Sequence, residues 1–146
     1  MLSTLEGPAM KSLAYTVPTS KSLDEAIAAI EQNCGAQGFR VLHIHDIAAA
    51  LAEKGFPRDP LKIVEVCNAR YAAKMLDRDM TAALMLPCPI VVYQENGQTQ
   101  ISTLLPSVIA ELLPGRSLEF TAEQVEFALL AIVNESAKEK IPLPVS

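Results

Sequence analysis

The sequence lacks tryptophan, has few other aromatic residues and contains no run of basic residues. Aromatic residues make up 5% of the 146 positions, and the formal net charge is -5. A nucleic-acid-binding protein needs clustered cations to displace phosphate counterions and, for single strands, aromatic side chains on which bases stack. The composition therefore argues against nucleic acid as a partner, and the missing basic surface argues equally against anionic membranes.

Long hydrophobic runs and paired cysteines are also missing. No uncharged run is longer than residues 80–94, which are too few to span a bilayer and contain two prolines. Residues 1–11 have no apolar centre of the signal-peptide type. The cysteines Cys34, Cys67 and Cys88 are odd in number and widely spaced, so they fit neither a disulfide framework nor a C-x-x-C metal or redox motif. We expect a cytoplasmic protein with no membrane contact.

What the sequence does contain is a large apolar fraction in a chain of single-domain length. Hydrophobic residues make up 50% of the chain, and its mean hydropathy is positive. This composition predicts a globular protein with exposed apolar surface that a second subunit could cover, so we expect a homodimer. We interpret residues 1–10 as a flexible N-terminal lead and residues 11–146 as one domain.

Hydrophobic periodicity and capping signals predict the element order β-α-β-α-β-α-β-β-α. This order, with one late hairpin at Asn96-Gly97, indicates an α+β fold in which about five strands form a mixed or antiparallel sheet with helices packed on one face. We expect a first strand over 11–17 that ends at Pro18, then a helix that begins with a capping box at Ser22 and ends at Gly35. A strand over 39–45 should follow, with Asp46 as the cap of the next helix. A second capping box at Thr121 should begin the last helix.

The segment around Glu65 is the most chemically suggestive part of the chain. Strand alternation places Glu65 and Cys67 on one face and Val64 and Val66 on the other. Asn68 has the character of a helix N-cap, which would leave Cys67 beside the positive end of a helix dipole. The same alternation places Val41, His43 and His45 on one face of the preceding strand. A carboxylate, a thiol and an imidazole could therefore share one edge of the sheet.

Four motifs together resemble the domain of unknown function 302 family. They are Gly-Phe-x-Val-Leu-x-x-His-Asp at 38–46, Leu-x-x-Lys-Gly at 51–55, Glu-Val-Cys-Asn at 65–68, and Leu-Pro-Cys at 86–88 followed by Ile90. The resemblance covers roughly residues 12–106 and, less distinctly, the last helix. It implies a small α+β domain that dimerises and has no established activity. The positions it marks as recurrent are His45, Asp46, Glu65, Cys67, Asn68, Pro87 and Cys88. Many relatives carry proline where this chain has Ala69, a change that a first helical turn accommodates easily.

These observations lead to one main hypothesis and two alternatives. The main hypothesis is a module that binds or senses a small ligand through His45, Glu65, Cys67, Asn68 and Cys88. Within it, His45, Glu65, Cys67 and Cys88 form a donor set that a transition metal or haem iron could use. The alternatives are a thiol-redox protein using Cys67 and Cys88, and a purely structural dimerisation module. A plainer interpretation leaves His45 in a local hydrogen bond and the cysteines packed in the core.

The common catalytic motifs are absent, so the sequence leaves open whether the protein is an enzyme. There is no Gly-rich phosphate loop, no Gly-x-Ser-x-Gly and no His-Glu-x-x-His. Enzymes of those classes are disfavoured.

Overall fold

Five strands form one antiparallel sheet in the computed structural model, which describes residues 12–113, 115 and 117–139. The spatial order is β1-β5-β4-β3-β2, so β1 and β2 are the two edges, and every neighbouring pair is antiparallel. The α+β class and the single domain are confirmed, and the sheet is antiparallel throughout. The expected lead at 1–10 lies outside the described residues. The strands are β1 Ala14–Thr19, β2 Arg40–Asp46, β3 Leu61–Cys67, β4 Cys88–Glu95 and β5 Gln98–Leu104.

The helices occupy the connections between β1, β2, β3 and β4, and both ends of the segment after β5. A short 3-10 helix at Met80–Met85, which the sequence pattern did not predict, leads into β4. None of the helices in the described ranges is long and apolar enough to cross a membrane. The helices are α1 Leu23–Ala36, α2 Ile47–Glu53, α3 Ala69–Arg78, α4 Pro106–Ala110 and α5 Glu119–Ala137.

The core lies between one face of the sheet and the paired helices α1 and α5. Because side chains alternate along a strand, Val64 and Val66 of β3 point to this face together with Ile90 and Val92 of β4, and all four are fully buried. Ile30 of α1 and several residues of α5 close the core from the other side. The described part of α5 contributes Ala122, Val125, Ala128, Leu129, Ile132, Val133 and Ser136.

Local capping signals place the start of α1 and α2 as predicted. The Ser22 hydroxyl accepts a hydrogen bond from the Glu25 backbone N-H at 3.1 Å, and the Glu25 carboxylate accepts one from the Ser22 N-H at 3.0 Å. This reciprocal pair is the predicted capping box. The Asp46 carboxylate caps α2 by accepting from the Ala49 N-H at 3.0 Å.

Gly38, and not Gly35, closes α1. The helix continues through Ala36, and Gly38 takes the left-handed backbone conformation with φ of 75°. The Phe39 N-H then reaches the Cys34 carbonyl and the Gly38 N-H the Gly35 carbonyl, which is the bonding pattern of a Schellman closure. The prediction failed because two glycines lie three residues apart and only the second stands where the positive φ is needed.

Two other boundaries differ from the prediction for physical reasons. Pro18 lies inside β1, where its missing N-H costs no ladder bond because β1 is an edge strand. The final helix begins at Glu119, so the predicted capping box at Thr121 is wrong. Leu118, expected in an extended lead, already has helical backbone angles and is 1% exposed, which indicates that core packing sets this helix start without a side-chain cap.

The edge strand β2 contains an irregularity that the alternation argument did not anticipate. Val41 pairs with Val66 and His43 with Glu65, so Leu42 is an extra residue without a cross-strand partner. Such a bulge shifts the inside-outside pattern by one position. Val41 therefore packs against the core, while His43 and His45 face the other side, and the expectation that all three share a face is wrong.

The hairpin between β4 and β5 has the predicted turn. Asn96 and Gly97 both have positive φ angles, 53° and 79°. Two successive positive values are what a type I′ hairpin turn requires, and this turn sets the register in which Glu95 faces Gln98. The register continues along the hairpin to Ile90, which lies opposite Thr103.

Candidate functional site

The sheet surface opposite the core, which we call the open face, carries most of the polar groups predicted from sequence. Its residues are partly accessible, in contrast to the fully buried core face. The cross-strand register places Glu65 beside His43 and His45 beside Ile63, with Val91 and Ser102 on the next two strands. The open face is defined here by His43, His45, Ile63, Glu65, Cys67, Val91 and Ser102.

A short hydrogen bond between His45 and Glu65 forms the centre of this face. The His45 Nε2 atom lies 2.6 Å from the Glu65 Oε1 atom, and the two side chains are 42% and 29% exposed. The residues are diagonal neighbours on adjacent strands, since His45 pairs with Ile63 and Glu65 lies two residues further along β3. The bulge at Leu42 lies between the two imidazoles, which face this side, and Val41, which packs on the core side.

The carboxylate fixes which nitrogen of His45 carries the proton. An ionised carboxylate only accepts hydrogen bonds, so Nε2 must be the protonated nitrogen in the neutral ring. Nδ1 is then an acceptor, and no hydrogen bond engages it within the described ranges. The ring of His43 lies edge-on to that of His45, with centroids 4.4 Å apart. The result is an oriented imidazole with one accepting nitrogen available.

Asn68 has the predicted capping role at the end of β3. Its side-chain oxygen accepts hydrogen bonds from the N-H groups of Arg70 at 3.0 Å and Tyr71 at 3.2 Å. Its amide also approaches the end of α1, because a Cβ atom on Gly38 would lie 3.0 Å from the Asn68 Nδ2 atom. Asn68 therefore holds the start of α3 and the closure of α1 together, and its polar atoms serve the scaffold.

Cys67 and Cys88 lie on adjacent strands but on opposite faces of the sheet. Cys88 pairs with Val66 on the core side and is 5% exposed, whereas Cys67 shares the open face with Glu65. A cavity of about 10 Å³ next to Cys88 is lined by apolar side chains including Met75, Met85 and Leu129. Such a space holds at most about one water molecule, so Cys88 faces hydrocarbon and not solvent.

Burial raises the pKa of all three thiols. Desolvation raises the pKa of Cys88 to about 12, with a smaller contribution from Cys67 nearby. Desolvation also raises the pKa of Cys34 to about 11, helped by Glu31, and raises that of Cys67 from its ordinary 9.0. A nucleophilic thiol needs the opposite shift. The thiol-redox alternative gains no support from this arrangement, and the three cysteines are unpaired.

The four residues expected to bind a metal, His45, Glu65, Cys67 and Cys88, do not lie together as one group among the described residues. No three His, Cys, Asp or Glu side chains in the described part of the chain are grouped closely enough to hold a metal ion. The reason is geometric, because Cys88 points into the core and Glu65 already occupies the Nε2 atom of His45. Of the five predicted site residues, His45, Glu65 and Cys67 share the open face, Asn68 caps α3, and Cys88 belongs to the core.

Sequence reasoning overlooked His43 as a member of the site. It precedes His45 by two residues and stacks edge-on against it. Its spacing carried the signal, since residues two apart in a strand project to the same side. Arg40, exposed at the start of β2 and paired with Cys67, extends the polar surface in the same direction.

Comparisons with known proteins agree on one family. The model of the family described as "Domain of unknown function DUF302" matches residues 15–136. A similar solved structure is described as the crystal structure of an uncharacterized conserved DUF302 protein from Bacillus stearothermophilus. That chain is 32% identical, the match covers 88% of this chain and 100% of that one, and the TM-score is 0.83. No curated protein matches significantly.

Proposed function

The chain belongs to the DUF302 family, and on that premise we propose that it is a binding module for a small ligand that docks on the open face at His45. The observation that carries this proposal is the 2.6 Å contact between His45 Nε2 and Glu65 Oε1 on a partly exposed surface. A carboxylate that orients an imidazole is a recurrent way to present the other ring nitrogen to a ligand.

The geometry favours a ligand that donates a hydrogen bond and has an apolar body. With Nε2 held by Glu65, the neutral His45 ring offers Nδ1 as an acceptor for an N-H or O-H group. Ile63 and Val91, which adjoin each other across β3 and β4, supply apolar contact beside it. Cys67 adds a neutral thiol on the same face, since burial raises its pKa. A few polar groups set among apolar ones are typical of small-molecule sites.

The proposal is tested by histidine-selective NMR. Imidazole 15N resonances of the full chain are recorded with and without pools of small amines, alcohols and amides. We expect compounds that bind to shift the His45 Nδ1 resonance, because Nδ1 is the accepting atom. The shift should vanish in His45→Gln and weaken in Glu65→Gln, which frees the ring to rotate.

His43→Gln is the matched control, because it removes an imidazole of the same face that makes no bond to Glu65. It should retain binding with a modest loss. Binding that survives His45→Gln unchanged, or a full set of pools without any shift at His45, would contradict the proposal.

Haem and a cytoplasmic location stay predictions from the sequence. Haem binding can be tested by titrating the chain with haemin and recording the Soret absorbance. If His45 is the axial ligand, His45→Gln and wild type should give different spectra. An identical spectrum for both proteins would remove His45 from that role.

A further inference from the structure

A second groove lies on the helical side of the sheet, between the second half of α3 and the first turns of α5. Its volume of about 460 Å³ is within the range of small-ligand sites. The side chains that line it combine both signs of charge with an amide, a hydroxyl and an aromatic ring, and none of them belongs to the open face. We call it the α3–α5 groove and define it by Lys74, Asp77, Arg78, Phe120, Thr121 and Gln124.

The amide of Gln124 lacks a hydrogen-bond donor. Its Oε1 atom is buried and accepts no hydrogen bond from any residue that the structure describes, although the same side chain lines the groove. An unpaired buried oxygen costs free energy, so nearly all such atoms in folded proteins have a donor. The terminal torsion of a glutamine side chain is soft. A small rotation can therefore bring this oxygen to the groove, where a ligand N-H group can supply the donor.

The three charged side chains of the groove are also unpaired. Lys74 and Asp77 are about one helical turn apart, a spacing at which opposite charges often pair. Neither of them, nor Arg78, forms an ion pair or a side-chain hydrogen bond within the described part of the chain. All three are exposed. A ligand that pairs with all of them must carry both a negative and a positive group.

We propose that the α3–α5 groove binds a free α-amino acid with an apolar or aromatic side chain. The carboxylate of this ligand pairs with Lys74 and Arg78, because the planar guanidinium of arginine can donate two parallel hydrogen bonds to a carboxylate. The ammonium group donates to the Asp77 carboxylate and to Gln124 Oε1, which otherwise has no donor among the described residues. An ammonium group has three N-H donors, so it can bond to both oxygens.

The aromatic ring of the groove fits the apolar part of such a ligand. Phe120 is 74% exposed where it lines the groove, so contact with a ligand side chain removes apolar surface of both from water. The Thr121 hydroxyl can donate or accept and suits either charged group. A simple anion would meet the charge of Asp77 and leave Gln124 Oε1 without a donor. A simple amine would leave both cations unpaired, so a zwitterion matches the groove better than either.

Titration of the full chain with three related compounds, followed by backbone amide NMR resonances, tests the proposal. L-phenylalanine carries both charged groups, phenylpropionate lacks the ammonium group, and phenylethylamine lacks the carboxylate. We expect L-phenylalanine to shift resonances of residues 74–78 and 120–124 with a dissociation constant of about 1 mM or below, as a ligand of about twelve non-hydrogen atoms allows. The other two compounds should bind about 10-fold more weakly, because each loses hydrogen bonds to charged groups.

Charge variants separate the two ends of the ligand. Arg78→Gln should weaken the binding of L-phenylalanine by about 10-fold and leave that of phenylethylamine unchanged, because only the first compound has a carboxylate. Asp77→Asn should weaken both compounds that carry an ammonium group and should not weaken phenylpropionate. Arg58→Gln is the matched control, since it removes an exposed arginine that does not line the groove. His45→Gln should also leave binding unchanged, because His45 lies on the open face.

Two further variants test the ring and the amide. Phe120→Ala should weaken L-phenylalanine by roughly 5-fold through lost apolar contact, whereas Phe56→Ala, which removes a ring that is 67% exposed outside the groove, should have no effect. Gln124→Leu should weaken binding without lowering the midpoint of thermal unfolding, because the oxygen it removes has no donor among the described residues of the free chain.

Three results would overturn the proposal. One is the absence of any shift at residues 74–78 and 120–124 with about 10 mM L-phenylalanine, ten times the weakest dissociation constant expected. Another is phenylpropionate binding as tightly as L-phenylalanine, since the groove would then accept a simple anion. The third is an equal effect of Arg78→Gln and Asp77→Asn on all three compounds, which would contradict the assignment of the two charged groups.

Discussion

The two faces of the sheet are built from the same five strands, yet they differ in burial and in polarity. On the core face Val64, Ile90 and Val92 are fully buried. On the open face His45 and Glu65 hydrogen-bond to each other at partial exposure. Cys67 and Cys88, almost neighbours in the pairing of β3 and β4, fall on different faces. The contrast teaches that position in the sheet, more than residue type, decides whether a thiol or a carboxylate is available for binding.

The largest difference in stability should come from replacing one isoleucine on each face by alanine. Ile90→Ala removes a fully buried side chain and should lower the free energy of unfolding by about 2 to 5 kcal/mol, through lost burial and the cavity it leaves. Ile63→Ala, on the half-buried open face, should cost about 1 kcal/mol or less. Urea denaturation measures both values. Equal losses would mean that the open face is packed as firmly as the core.

The two cysteines on opposite faces should react very differently with iodoacetamide. At the same pH, a pKa of about 12 leaves Cys88 with roughly 1,000-fold less thiolate than its ordinary value of 9.0 would. We expect Cys67 to be alkylated first, and more slowly than free cysteine because its pKa is also raised. Cys88 should react only after unfolding. Peptide mapping by mass spectrometry reads each site, and native Cys88 reacting as fast as Cys67 would contradict the assignment of faces.

The same burial predicts how stability depends on alkaline pH. Because the folded chain raises the pKa of Cys88, it binds that proton more tightly than the unfolded chain does. This contribution to stability is complete below about pH 9 and is lost as the pH rises toward about 12. Cys88→Ala should therefore flatten the decline of unfolding free energy over that range. Cys67→Ala is the control, and a change in slope as large as that of Cys88→Ala would count against the argument.

A smaller contrast is expected for hydroxyl groups. Thr103 is 3% exposed on the core face, and its hydroxyl donates to the Pro89 carbonyl at 2.8 Å. Thr103→Val should cost roughly 1 to 2 kcal/mol, since a buried acceptor loses its partner. Thr16 and Ser102 share a 2.7 Å hydrogen bond on the exposed side, and Thr16→Val should change stability by less than about 0.5 kcal/mol. Thermal or urea unfolding measures the stability of both variants. A large loss of stability in Thr16→Val would indicate that the open face is covered.

The smallest effect should be the coupling between His45 and Glu65. Both side chains are partly exposed, so solvent screens the pair, and a double-mutant cycle with His45→Gln and Glu65→Gln should give about 1 kcal/mol or less at neutral pH. A much larger coupling would show that the pair holds the fold together. In a binding site we expect these substitutions to change the free energy of unfolding little and to weaken ligand binding strongly.

Much of the fold could be predicted because local signals agreed with the final packing. The alternation of β3, the capping residues Ser22, Asp46 and Asn68, and the Asn96-Gly97 turn are all decided by neighbours in sequence. Their hydrogen bonds close within a few residues, so tertiary contacts had little opportunity to override them. The element order and the α+β class follow from these signals.

Apart from the end of α1, where two nearby glycines compete, the failures arose where distant contacts decide. The start of α5 depends on the burial of Leu118 in a core made by the whole chain. The side to which Cys88 points depends on the register between β3 and β4, which no short window contains. The placement of the candidate residues was predicted in part for the same reason. His45, Glu65 and Cys67 share a face as expected, whereas Cys88 lies on the other face.

The extra residue at Leu42 also bears on how β2 tolerates changes in length. Removing one residue from a regular strand turns everything beyond the deletion to the wrong side. In β2, a chain without Leu42 would pair Val41, His43 and Ile44 with the same partners in ordinary succession. The strand can therefore lose one residue at this point while both imidazoles keep their outward direction, so a deletion at position 42 should be tolerated better than one elsewhere in β2.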